Sequence, residues 1–143
     1  MKSRYAVRAL TELATREQGD PGRPIRLADI AEARDLPLQF LEQLFAALRR
    51  AGIVRSRRGA AGGYMLGRPA ADITVLEVVG ALDGLPSPAD CTQGVCERVA
   101  GCGAASVWLD AQQALEQVLG GTTIDDLRVR ETSLRTQAPM YHI

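Results

Sequence analysis

After Leu36-Pro37, apolar side chains recur at Leu41, Leu44, Phe45 and Leu48, an i, i+3, i+4, i+7 stripe that only an α-helix brings to one face. Ala51-Gly52 ends the run where helices favour glycine. Such a stripe demands burial, so the helix needs a core on one side and a polar surface on the other. The residues off the stripe are Gln39, Phe40, Glu42, Gln43 and Arg49. Phe40 is readable either as exposed or as a core residue beside Leu41.

The flanking segments supply that core. Tyr5, Ala9, Leu10 and Leu13 fall at helical spacing before the Gly19-Asp20-Pro21-Gly22 break, and Leu27–Ala31 forms a compact second helix. Two helices joined by a tight turn at Leu36-Pro37 make a helix-turn-helix. Ile53-Val54 and Tyr64-Met65-Leu66 then flank the basic, glycine-rich run from Arg57 to Gly63, the pattern of a hairpin with a long loop, or wing. The expected fold is mainly α with a small β-hairpin wing: a winged helix-turn-helix over residues 1–70, joined to a long dimerisation helix.

Residues 71–103 hold a small helix over Thr74–Leu82, with Val75, Val78, Val79 and Leu82 on one face, and an irregular cysteine loop. Residues 104–143 hold the dimerisation helix and a C-terminal tail. In that helix Ala104, Trp108, Ala111, Leu115 and Val118 are spaced as in a two-helix seam, and a second copy of the chain is the expected partner. The alternative is a stripe packed on the chain's own winged unit. From Gly120 only a weak helix around Leu127 is expected, in a frayed tail.

Charge sorts the two halves. The chain carries 17 basic and 17 acidic residues, but up to Ala70 the division is 13 against 7, and beyond it 4 against 10. From Arg49 to Arg68 there are six arginines and no acid. A loop of arginine and glycine next to a helix-turn-helix suits double-stranded DNA, with guanidinium groups on phosphates. Arg58, beside Gly59, is placed for a narrow minor groove. Gln39 and Phe40 lie in the first turn, where such helices meet base edges, and Glu42 is able to accept from a cytosine amine.

Cys91, Cys96 and Cys102 share the loop with Gly94, Gly101 and Gly103. Three thiolates at short spacings are able to converge on one metal or iron–sulfur centre. A disulfide switch, or three thiols without a role, are the other readings. An odd cysteine count fits a reducing compartment, and neither a signal-like start nor a membrane-length apolar run is present, so the cytoplasm is expected, with no membrane partner. There is no convergent acid–base set and no phosphate loop, which argues against an enzyme. An iron–sulfur carrier and a protein-binding winged-helix module are the weaker alternatives.

Arg4-Tyr5-Ala6-Val7, Leu27-Ala28-Asp29-Ile30, Leu41-Glu42-Gln43-Leu44-Phe45 and Arg58-Gly59-x-x-Gly62-Gly63-Tyr64 together resemble the IscR/NsrR-type family of iron–sulfur-cluster transcriptional regulators, from Lys2 to about Leu127. The resemblance implies a winged-helix homodimer and a [2Fe–2S] or [4Fe–4S] cluster held by Cys91, Cys96 and Cys102. It implies that Glu42 tunes sequence choice, that Arg58 enters the minor groove, and that Gln39, Phe40, Ser56, Gly62 and Gly63 face DNA beside Gln43, Arg57 and Gly59. Two departures stand out. The family's histidine ligand after the last cysteine is Ala105 here, and the alternative carboxylate position in the first helix is Arg4. Glu12, Asp90, Glu97 and His142 are the remaining candidate ligands. The first two cysteines also lie one residue closer than in the IscR pattern.

Overall fold

A computed structural model describes residues 1–94 and 96–137. Helices α1 (Ser3–Gly19), α2 (Leu27–Arg34) and α3 (Leu38–Arg50) precede strands β1 (Val54–Arg57) and β2 (Gly63–Leu66), and helices α4 (Val75–Leu82), α5 (Ala105–Gly120) and α6 (Ile124–Gln137) complete the chain. The mainly α winged-helix class expected from periodicity is the observed one.

The α3 stripe is the centre of the core: Leu41, Leu44, Phe45 and Leu48 are all buried, against Ala6, Ala9, Leu10 and Leu13 of α1. Burying each of the larger side chains contributes about 1.5–3 kcal/mol. Between α2 and α3 the chain turns at Asp35, whose φ of 51° is a left-handed cap that aspartate tolerates.

The hairpin is longer than the apolar runs indicate. Antiparallel pairing runs from Val54↔Leu66 to Arg57↔Gly63, so Arg57 and Gly63 belong to strands and the open loop is Arg58–Gly62. A further bridge joins Tyr64 to Ile25, with amide–carbonyl distances of 2.8 and 2.9 Å, and ties the lead-in to α2 onto the wing.

α4 begins at a reciprocal cap in which the Glu77 amide donates to the Thr74 hydroxyl and the Thr74 amide to the Glu77 carboxylate. Its far end caps another helix: the backbone amides of Lys2 and Ser3 donate to Asp83, at 3.0 and 2.8 Å. Burial raises the Asp83 carboxyl, but the hydrogen bonds from Ser3 and Lys2 outweigh it and hold the group below its usual range.

The expected frayed tail is corrected by α6. Thr123 and Asp126 cap it reciprocally, Ile124 is fully buried and Leu127 packs on the core. Backbone hydrogen bonds from Val75 to Thr122 and from Ile124 to Ile73, both 2.9 Å, fasten its start to the start of α4. α6 lies on α1. There Glu131 takes a two-pronged contact from Arg34, at 2.8 and 2.6 Å, while Arg34 also donates to Glu12 at 2.9 Å. Arg16 holds the other Glu12 oxygen. A carboxylate bonded by a half-sequestered guanidinium gives a helix a defined seat, which weak local periodicity does not reveal.

The Arg34 hydrogen bond holds the Glu131 carboxyl below its ordinary 4.5, against the opposing effect of burial. A lowered native value stabilises the fold above the ordinary value and loses that contribution as pH falls through the native one. Glu131→Gln is therefore expected to cost about 1–3 kcal/mol at neutral pH, read as a lower urea midpoint. The gap from the parent protein should close on acidification; equal midpoints at neutral pH would show that the pair contributes nothing.

Candidate nucleic-acid interface and cysteine loop

With its apolar face buried, α3 turns Gln39, Glu42 and Gln43 to solvent. Phe40 divides the two readings of it. It is half-buried and meets Tyr5 edge to face, with ring centroids 5.5 Å apart, so much of the ring packs on α1.

The wing stands beside this face. Ser56, Arg57, Arg58 and Gly59 are exposed, and Arg49 at the end of α3 donates to the Ser56 hydroxyl at 3.3 Å, linking helix and strand. Among the described residues Arg49, Arg50, Arg55, Arg57 and Arg58 form no ion pair. Arg68, the sixth of the run, does not share this freedom. It binds the Glu77 carboxylate and the Asp72 carbonyl, and so serves to attach α4. Burial raises the Glu77 carboxyl, yet the Arg68 and Thr74 hydrogen bonds outweigh it and hold it low.

Gly62 and Gly63 are half-buried, and the fold itself requires them. A Cβ at Gly63 would overlap the Ile25 carbonyl, and one at Gly62 would overlap the Arg57 carbonyl. The lack of a side chain at Gly63 lets the wing close on the α2 lead-in, and at Gly62 it lets the wing's own loop close on Arg57.

The cysteine loop joins α4 to α5. Cys91 sits in a short 3-10 turn, Asp90–Gln93, and Cys102 follows another, Val99–Gly101, three residues before α5. Cys91 and Cys96 are half-buried, Cys102 is exposed, and all three are free thiols. Ser87, Ala89 and Thr92 hold the first turn by hydroxyl hydrogen bonds of 2.6–3.1 Å. The donor chemistry suits an iron–sulfur centre, but the arrangement does not. Among the described residues no group of three or more His, Cys, Asp or Glu side chains is gathered to hold a metal ion.

The candidate fourth ligands divide clearly. Ala105 is buried at the start of α5 and offers no donor. Arg4 stacks by its guanidinium on Tyr5, 5.8 Å from the ring centroid. Glu12 is buried and held by Arg16 and Arg34, which removes it from the set. Asp90 and Glu97 remain exposed on the loop, and His142 lies outside the described residues.

What sequence reasoning missed is the seat of α6. The Thr123-x-x-Asp126 cap was a local signal for its start. No local signal pairs Arg34 with Glu131, 97 positions away. No described helix is long and apolar enough to cross a membrane.

A family model described as "Rrf2: Iron-dependent Transcriptional regulator" matches residues 1–130. The HTH-type transcriptional regulator IscR of Xenorhabdus nematophila is 39% identical over 128 residues, covering 88% of this chain and 76% of that protein. Among solved structures, CymR, the global cysteine regulator of B. subtilis, superposes with a TM-score of 0.76 at 35% identity, covering 91% of this chain and 95% of that one. T. potens IscR does so with a TM-score of 0.71 at 32% identity, over 100% of this chain and 90% of its own. These relatives are regulators, not enzymes. By the extent of the family match and the closeness of these relatives, the chain is a transcriptional regulator that belongs to the Rrf2 family.

Proposed function

We propose that the protein is a homodimeric regulator that binds operator DNA through α3 and the wing. The observation that carries this reading is the juxtaposition of two outward surfaces. The exposed Gln39, Glu42 and Gln43 of α3 stand next to a wing of arginines with no ion pairs among the described residues. In a duplex complex Arg57 and Arg58 meet phosphates and the minor groove, and α3 meets base edges. Ser56, Gly59, Gly62 and Gly63 belong to the same surface. Residues 1–70 are the reading head, 71–103 the linking helix and cysteine loop, and 104–143 the dimerisation helix with α6 folded back on the head.

The support for a dimer is the surface of α5. Trp108 and Leu115 are each 43% exposed and Val118 is 66% exposed, an apolar seam left uncovered by a single chain. A two-fold axis through that helix covers the seam with itself. The two heads are then able to reach half-sites about 34–36 Å apart.

Control of DNA binding is assigned to the thiols of Cys91, Cys96 and Cys102, as ligands of an iron–sulfur cluster. The support is the thiol chemistry of the loop, the iron-dependent description of the family and the IscR relatives. A second reading, regulation by the thiols without a cluster, draws on their ungathered arrangement and on the CymR neighbour.

Three measurements test these assignments. Arg58→Ala is expected to weaken binding to a selected operator duplex by about 1–3 kcal/mol, measured by fluorescence anisotropy; unchanged affinity would remove Arg58 from the interface. Leu115→Asp places a charge in the seam and is expected to yield monomers in sedimentation velocity, whereas a persistent dimer at micromolar concentration would refute the α5 contact. Protein purified without oxygen is expected to show visible charge-transfer absorption, with iron and acid-labile sulfide. Colourless, iron-free protein that also fails reconstitution, yet binds DNA, would select the cluster-free reading.

A further inference from the structure

Arg16, Arg23, Arg26 and Arg57 line one open cavity of about 870 Å³ between the end of α1, the lead-in to α2 and the wing. Three of these arginines lie outside the run that marks the wing, and the fold brings them to it. Ile25 makes this possible: its backbone bridge to Tyr64 draws the Arg23–Arg26 segment against β2. Apart from Arg57, the wing side of the cavity is formed by Ala60, Ala61 and Gly62, whose small size leaves it open there.

The charges do not cancel. Four guanidinium groups share the lining with two carboxylates, Asp20 and Asp29. Arg23 reaches Asp20 only at 3.5 Å, with the two side chains 72% and 59% exposed. Arg26 holds Asp29 at 2.9 Å and is itself 69% exposed. Arg16 is turned to Glu12 at 2.9 Å, and the wing's Arg57 has no ion pair among the described residues. Exposed pairs of this kind contribute at most about 1 kcal/mol, so a phosphate that brings its own charge is able to open them.

We propose that this cavity is a second DNA contact, in which Arg23, Arg26 and Arg57 hold a backbone phosphate flanking the segment read by α3 and the wing tip. The inference rests on the DNA-binding reading above. The occupant follows from continuity and from charge density. The cavity shares Arg57 and the Ala60–Gly62 loop with the wing, and a duplex engaged by that wing carries about one negative charge per 1.7 Å along its axis. Arg23 and Arg26 are positioning residues in this scheme. They touch phosphate and no base, so they add affinity without sequence preference. Asp20 and Asp29 oppose them and lower the affinity for any duplex.

The test is a salt titration of binding to two duplexes of equal length. One is selected by the parent protein from a random-sequence library, and the other is an unselected sequence. Arg23→Ala/Arg26→Ala is expected to weaken binding to both by a similar factor. The log–log salt slope should fall by about 0.9, the change expected for one lost phosphate contact. Asp20→Asn should shift the unselected duplex the other way, toward tighter binding. Circular dichroism of the double variant checks that its fold is kept, and the Asp20→Asn gain does not depend on that variant folding. Unchanged affinity and slope in a folded double variant, while the parent binds both duplexes, would overturn the cavity contact and leave the DNA reading standing. A loss confined to the selected duplex would overturn it too, because it would mean base readout. A parent protein that binds neither duplex overturns the DNA reading and this contact together.

Discussion

The contact between α3 and α1 sets which side chains α3 presents to solvent beside the wing. Leu41, Leu44, Phe45 and Leu48 leave water against Ala9, Leu10 and Leu13, and no other rotation of α3 keeps all four buried. Gln39, Glu42 and Gln43 are therefore outward because their neighbours are inward. Phe45 carries the same constraint into the hairpin, meeting Tyr64 edge on with centroids 5.1 Å apart. Tyr64 in turn pairs through its backbone with Ile25. One aromatic contact thus joins α3, the wing and the lead-in to α2, and the angle between helix and wing is a property of the core.

Charge does at the rear of this unit what apolar packing does at its centre. Arg34 is 11% exposed, and it is kept charged by two carboxylates from different helices, Glu12 of α1 and Glu131 of α6. Removing either partner would leave a sequestered guanidinium incompletely paired, which is costly in a low-dielectric setting. The hydrogen bond that the guanidinium donates to Glu131 is the larger influence on it and raises its affinity for the proton. The ion pairs hold α6 on the winged unit, while the apolar seam of α5 stays exposed.

The cysteine loop is tethered at its two ends by different means. It departs next to Asp83, whose carboxylate caps α1, and it enters α5 just before the buried Ala105. Between those points it holds three thiols on short turns without drawing them together. The residue that satisfies the first amides of α1 therefore stands at the start of the loop.

Local pattern was sufficient for the helices with strong apolar stripes, for the hairpin, and for the outward residues of α3, because the 3.6 and 2.0 periodicities are printed in the residue order. It was sufficient, too, for the family resemblance carried by Arg58-Gly59-x-x-Gly62-Gly63-Tyr64. Other features depended on residues distant in the chain. The end of the hairpin at Arg57↔Gly63, the packing need for Gly62 and Gly63, and the half-burial of Phe40 against Tyr5 all arise from neighbours that sequence order does not reveal. The same is true of α6, which lacks a strong stripe and owes its place to one buried isoleucine and an ion pair across 97 positions. Arg68 and Glu12 make the point from the opposite side. Composition counts them as a free cation and a free carboxylate, and the fold commits each to a partner. Periodicity reports which face of an element must be buried; only three-dimensional packing decides which charges remain available once it is.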